Sequence, residues 1–301
     1  MKLKPDLQNA QYGPHERNVL DLWKAKSDEP TPLVLYFHGG GFMGGDKESL
    51  DVNRLNTYLE AGISVAAMNY RLTIMNKAPF PAAYLDGARA LQFLRYNAEA
   101  WNLDSERVAS TGGSAGAGIS MYLAFHDDLA DTDSDDLIAR QSTRLTCVAV
   151  INGQSSYDPR FAEKIGIPRP NFERHEFFLP FYGITADEID TARAYKLYED
   201  AAPITYVTED DPPAWLSYDL PDEDVDENTP LNLIVHHPRF GIALKERLDA
   251  LGIDCVVQYR SQPDGVMIRH GGQSEGDPIS EFDFIQKYFK QVKQGRTNPP
   301  A

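Results

Sequence analysis

Val108-Ala109-Ser110-Thr111-Gly112-Gly113-Ser114-Ala115-Gly116-Ala117-Gly118 is the stretch on which the reading of this chain turns. A short apolar run leads into Gly-x-Ser-x-Gly, and small residues follow. That order predicts a strand, a sharp turn and a helix start, with the Ser114 hydroxyl lifted out of the chain at the turn. Glycine at 112 and 116 leaves room for the crowded backbone, and the helix N-terminus beyond it favours negative charge beside Ser114. A glycine-rich anion loop or a plain tight turn would share the pattern, so the stretch needs a partner elsewhere in the sequence.

The partner lies upstream. His38-Gly39-Gly40-Gly41-Phe42 directly follows the apolar run Leu33 to Phe37 and fits a loop that turns backbone N–H groups toward a developing oxyanion. The N–H groups of Gly40, Gly41 and Ala115 are the expected oxyanion hole, each donor contributing about 3 kcal/mol of transition-state stabilisation. His38 is expected to anchor this loop by hydrogen bonding. Together the two stretches point to acyl chemistry.

Outward from them, short apolar runs alternate with helical patterns: Leu33 to Phe37, Ile63 to Met68, Val108 to Thr111, Leu145 to Ile151, Ala214 to Tyr218 and Cys255 to Tyr259. The alternation predicts an α/β class, a mostly parallel central sheet flanked by helices. Ala82 to Tyr96 carries Leu85, Ala88, Leu91, Phe93 and Leu94 at helical spacing, and Leu244 to Leu251 and Ile279 to Val292 read as helices too. One domain over 1–301 is expected. Residues 154–213, too long for a simple crossover, form a lid-like insertion with Phe161, Phe172, Phe177, Phe178, Phe181 and Tyr182 and a helical stretch near Ala186 to Tyr198.

A serine hydroxyl is a poor nucleophile until a base accepts its proton, so Ser114 requires a histidine. The chain has seven. The order Ser, then Asp or Glu, then His, with the base beyond the last core strand, selects His270. His236 and His237 precede that strand, at the start of a Pro238 to Leu251 helix, and are expected to cap or pack. The acid should lie just past Tyr218, where it fixes the base's tautomer. Asp222 is the choice, with Asp219, Asp224 and Asp226 also in reach.

Bulk properties are those of an ordinary globular enzyme, with 42% hydrophobic and 25% charged residues among 301. Acidic residues outnumber basic ones 45 to 29, and the net charge of −16 disfavours nucleic acid and anionic membranes as partners. The acidity serves solubility, or a saline habitat whose ions screen it. No apolar run is long enough to span a membrane, and no apolar leader follows Met1, so the chain as given is expected to be cytoplasmic, or secreted or periplasmic if a leader has been removed. Cys147 and Cys255 sit in apolar runs as small hydrophobes. No spaced Cys/His set, nucleotide-binding glycine loop or phosphate-loop lysine occurs, so no metal and no cofactor is expected.

These residues resemble the α/β-hydrolase superfamily, in particular the hormone-sensitive-lipase and feruloyl- and acetyl-xylan-esterase-like carboxylesterases. Asn69-Tyr70-Arg71-Leu72, Phe80-Pro81-Ala82, Asp86 and the Asp104 to Val108 approach extend the likeness over roughly Tyr12 to Phe289. The resemblance implies a serine carboxylesterase acting on a small-molecule ester through an acyl-enzyme. A non-catalytic binding module and a serine amidase or peptidase are the competing expectations. The chain departs from the family's pattern in its longer, more acidic loop after Tyr218 and in the extended approach to His270.

Overall fold

A computed structural model describes residues 3–169, 173, 175–262, 264–270 and 278–295. In β3 (Thr31–Phe37), Leu33, Leu35 and Phe37 join the core on one side of the sheet, while Val34 and Tyr36 join the core on the other. β4 (Ser64–Met68) and β6 (Cys147–Ile151) divide their side chains in the same way. Both faces are covered, which is why these strands read as unbroken apolar runs.

Among the described residues the sheet has nine strands in the order β1-β2-β4-β3-β5-β6-β7-β8-β9. The central strands β3 to β8, which include β5 (Leu103–Gly113), β7 (Ala214–Tyr218) and β8 (Cys255–Arg260), are parallel. Antiparallel strands β1 (Leu7–Gln11), β2 (Val19–Trp23) and β9 (Met267–Arg269) close the two edges.

The helices are α1 (Val52–Glu60), α2 (Ala82–Tyr96), α3 (Ala98–Trp101), α4 (Ala115–Phe125), α5 (Pro159–Lys164), α6 (Phe178–Tyr182), α7 (Ala192–Asp200), α8 (Pro203–Tyr206), α9 (Leu231–Val235), α10 (Arg239–Ala250) and α11 (Glu281–Lys293). α2, α4 and α10 cover the first face, and α1 and α11 the second. α11 shows how local chemistry sets an end. The Ser280 hydroxyl accepts from Asp283 N–H at 3.0 Å, Glu281 and Asp283 sit in the first turn, and Lys290 and Lys293 sit in the last. None of the helices is long and apolar enough to cross a membrane among the described residues.

Strand order also locates the site. β3 pairs with β4 on one side and with β5 on the other, so the chain reverses its direction of winding at β3. Connections leaving β3 and β5 diverge there and open a crevice beyond the strand ends, where open α/β sheets bind ligands. The glycine loop follows β3 and Ser114 follows β5.

The segment between β6 and β7 contributes α5 to α8, and its aromatic residues pack inward. Phe177, Phe178, Phe181, Tyr182 and Tyr198 are buried, Phe181 stacks on Phe42 with centroids 4.6 Å apart, and Phe80 N–H donates to Phe181 O at 2.7 Å. Large aromatic areas thus tie the segment to the glycine loop and to the start of α2. Phe161 is half-buried, and Phe172 lies outside the described residues.

Candidate active site

Ser114 takes φ 52° and ψ −117°, a backbone conformation that side chains rarely adopt and that costs about 1–3 kcal/mol. The strain is held by neighbours. Ser114 N–H donates to Ile151 O at 3.0 Å, and Gly118 N–H donates to Ser114 O at 3.1 Å. A Cβ at Gly116 would stand 2.2 Å from Phe37 O, so only glycine lets α4 start this close to the end of β3.

The loop after β3 is a tight turn in which Gly40 O accepts from Met43 N–H at 2.9 Å and Gly44 N–H at 3.1 Å. Gly40 has φ +114°, and a Cβ there would meet Gly44 O at 2.4 Å. Among the described residues, the N–H groups of Gly40, Gly41 and Ala115 donate to no protein acceptor, and all three residues line the cavity that holds Ser114. They are free to serve an incoming oxygen.

His38 braces this loop from beneath. Its ring stacks on Tyr70 at 4.2 Å, its Nδ1 lies 2.7 Å from Gly39 O, and its Nε2 lies 3.3 Å from Arg17 Nη2. A carbonyl on one side and a guanidinium on the other require the neutral tautomer with the proton on Nδ1. Burial pushes the His38 pKa down to about 4. The unfolded chain therefore binds a proton that the folded chain refuses, and His38 costs stability as pH falls from about 6.5 to about 4, on the order of 3 kcal/mol in all. Urea titrations at pH 7 and pH 5 are expected to show this loss, and His38→Gln should reduce it.

The histidine beside Ser114 differs from the sequence expectation. His236 Nε2, not a nitrogen of His270, lies 3.0 Å from Ser114 Oγ. His236 is the C-terminal cap of the five-residue helix α9 and follows Val235, whose carbonyl accepts from the Gln154 amide. Burial holds the His236 pKa below its ordinary value, the neighbouring His175 adds to this, and Asp219 opposes it. His270 stands elsewhere because the chain turns back after β8, with Ser261 N–H donating to Val266 O at 2.7 Å. β9 then runs back along β8, where His270 N–H donates to Val257 O at 2.8 Å and Nδ1 lies 3.4 Å from Tyr259 OH. Gly271 and Gly272 lie outside the described residues.

Asp222 likewise stands apart from the serine. Arg239 takes Asp222 Oδ1 at 3.1 Å and Asp224 Oδ1 at 2.7 Å, folding the acidic loop around one guanidinium. Asp226 Oδ1 accepts from Asn228 N–H at 2.9 Å and from the Thr229 hydroxyl at 3.1 Å. Asp219 is held by Asn152, which donates from Nδ2 to Oδ2 at 2.9 Å and accepts from Asp219 N–H at 3.0 Å. Of the four candidates it is the one whose field reaches His236. His237, next in sequence, is committed to Glu223 O at 2.9 Å.

The crevice is a cavity of about 420 Å³. Phe42, Met43, Tyr157, Phe177 and Val235 give it apolar walls, and His175, Glu176, Gln154 and Asn232 supply polar ones. Among the described residues no group of three or more His, Cys, Asp or Glu is placed to hold a metal ion. Sequence reasoning read His236 as a capping or packing residue and did not place it beside Ser114. The signal for its inward position was the apolar pair Ile234-Val235 directly before the histidine pair; the apolar pair is buried and carries its C-terminal neighbour inward.

Comparison with known proteins relates the chain to ester hydrolases. An ethyl acetate hydrolase of Pseudomonas putida is 35% identical over 106 residues, covering 34% of this chain and 33% of that protein. The esterase LipQ of Mycobacterium tuberculosis is 26% identical over 212 residues, covering 67% of this chain and 45% of LipQ. The chain thus spans less than half the length of these curated relatives. An acetyl ester-xyloside bifunctional hydrolase from Caldicellulosiruptor lactoaceticus shares the fold at TM-score 0.62 and 20% identity, over 93% of this chain and 89% of that one. A truncated carbohydrate esterase from gut microbiota does so at 0.65 and 18%, over 95% and 96%. A family model covers residues 20–234, which include the glycine loop and Ser114 and stop just short of His236, and on that match this α/β-hydrolase-fold chain belongs to the BD-FAE family.

Proposed function

We propose that this chain hydrolyses carboxylic esters of short or aromatic acyl groups, with Ser114 as nucleophile, His236 as general base and the N–H groups of Gly40, Gly41 and Ala115 as oxyanion donors. The observation that carries the reading is the 3.0 Å approach of His236 Nε2 to Ser114 Oγ at a strained strand-to-helix turn. Ser114 Oγ attacks the ester carbonyl carbon while its proton passes to His236 Nε2. The carbonyl oxygen takes up negative charge within reach of the three backbone donors, fixed in place before the reaction begins. The tetrahedral species then expels the alcohol, which receives the proton from His236, and an acyl-Ser114 ester remains. Water deprotonated by His236 attacks that ester and releases the acid and free Ser114. Asp219 steadies the transient imidazolium across space. The names of the relatives, ethyl acetate hydrolase and esterase, support the same chemistry.

The cavity of about 420 Å³ falls low in the ~300–1,000 Å³ range of small-molecule sites and must take acyl and alcohol portions together. A fluorophosphonate probe is expected to label Ser114 in step with loss of p-nitrophenyl acetate turnover. An unlabelled, inactive protein would leave the fold without this activity and favour a binding module.

The pH profile follows from the base. Only neutral His236 accepts a proton, so kcat/KM rises with pH as His236 deprotonates. Burial and His175 hold its pKa down, so the midpoint is expected below the ordinary histidine value of about 6.5. Asp219→Asn removes the opposing charge of Asp219 and is expected to move the midpoint lower still. A midpoint at 7 or above in the unaltered chain would contradict the buried geometry.

A further inference from the structure

We infer that Gln154 is a positioning residue for the base, acting through the backbone of α9. This rests on the reading of Ser114 and His236 as a catalytic pair. The segment leaving β6 touches each part of the site in turn: Ile151 O accepts from Ser114 N–H at 3.0 Å, Asn152 pairs reciprocally with Asp219, and the Gln154 amide donates to Val235 O. One short stretch of chain therefore sets nucleophile, charge and base relative to each other.

The Gln154 contact restrains the backbone that carries the ring. Among the described residues no hydrogen bond holds His236 Nδ1, so no side chain orients the imidazole from behind. Its placement depends on where the chain puts residues 235 and 236. α9 has only five residues, too few to hold its own end in register, since a helix that short is unstable in isolation. Gln154 supplies the missing restraint from a side chain only 3% exposed, 81 residues away in sequence. Among the described residues its Oε1 is buried without a partner, a cost that an apolar side chain of similar length would avoid. What the amide provides in exchange is the N–H on Val235 O.

The test uses the full chain with p-nitrophenyl acetate and two variants, Gln154→Met and Gln154→Glu. Methionine keeps length and burial but donates nothing, and the carboxylate is isosteric yet cannot donate when ionised. Both are expected to lower kcat about 10- to 100-fold with KM within about threefold, the pattern of a displaced base. The melting temperature of the methionine variant is expected to stay within a few degrees of the unaltered chain. Unchanged kcat in both variants overturns the inference. So does a raised KM at constant kcat, or loss of activity that follows loss of folding in both, since those mark a pocket wall or a purely structural amide. If the unaltered chain neither turns over the ester nor takes a fluorophosphonate label, the ester-hydrolase reading fails instead, independently of Gln154.

Discussion

His236→Ala is expected to lower kcat/KM for p-nitrophenyl acetate by about 10⁴- to 10⁶-fold, while His270→Ala stays within about threefold of the unaltered chain. The contrast follows from contact. A general base acts only within hydrogen-bond reach of the proton it takes, and His236 Nε2 meets that requirement at 3.0 Å from Ser114 Oγ. His270 is instead tied to β8 by its own N–H on Val257 O, with its ring 3.4 Å from the Tyr259 hydroxyl. Without a base the Ser114 hydroxyl keeps its proton, and what remains is binding and the oxyanion donors. Kinetics of the two variants at pH 8, where the base is neutral, give the decision directly. The reverse pattern, with His270→Ala inactive and His236→Ala active, would return the base to the position that chain order selects.

The strand-to-helix turn at Ser114 and the glycine loop after β3 were legible because each is a contiguous motif next to a strand with both faces buried. Such strands carry their signal locally, and five of the six central ones were bounded to within two residues at both ends. β5 was the exception, starting at Leu103 rather than near Val108. The edges were not legible. β1 reads Leu-Gln-Asn-Ala-Gln and has one covered side at most, and β9 has three residues. Helix α2 was read to the residue, yet Leu85 is 44% exposed, because it falls off the stripe that Ala88, Leu91 and Leu94 bury. The helical stretch near 186–198 divides at Thr191, whose side chain caps α7.

The histidine beside Ser114 and the surroundings of Asp222 escaped for a different reason. Both lie where distant loops meet, and the order of elements gives only a default for which loop arrives. Here a hairpin consumes the connection after β8 and takes His270 away from the site, while a short helix anchored by buried Ile234 and Val235 delivers His236 from the preceding connection. Asp222 was chosen by its distance from Tyr218. That distance says nothing of Arg239, 17 residues on, which claims the carboxylate. The cation that organises the acidic loop is visible only once α10 is folded against it.

Ser114→Ala and Ser114→Gly should both abolish turnover, a loss on the order of 10⁶-fold, yet they should differ in stability. Each removes the nucleophile and the hydrogen bond to His236, so neither effect separates them. They part at the backbone. Alanine inherits φ 52° and ψ −117° with its Cβ and keeps the strain of about 1–3 kcal/mol, whereas glycine adopts the same angles without it. Glycine gives back part of that gain, about 0.5–1 kcal/mol, because its unfolded chain is freer. The glycine variant should therefore unfold at higher urea than the alanine variant, by about 1 kcal/mol in the balance. Equal midpoints would mean that the turn is relaxed and that its shape does not derive from holding a hydroxyl toward the cavity. A higher midpoint for glycine would mean that the fold sustains an unfavourable conformation at the one residue whose oxygen must face the substrate, which is where strain serves reactivity rather than packing.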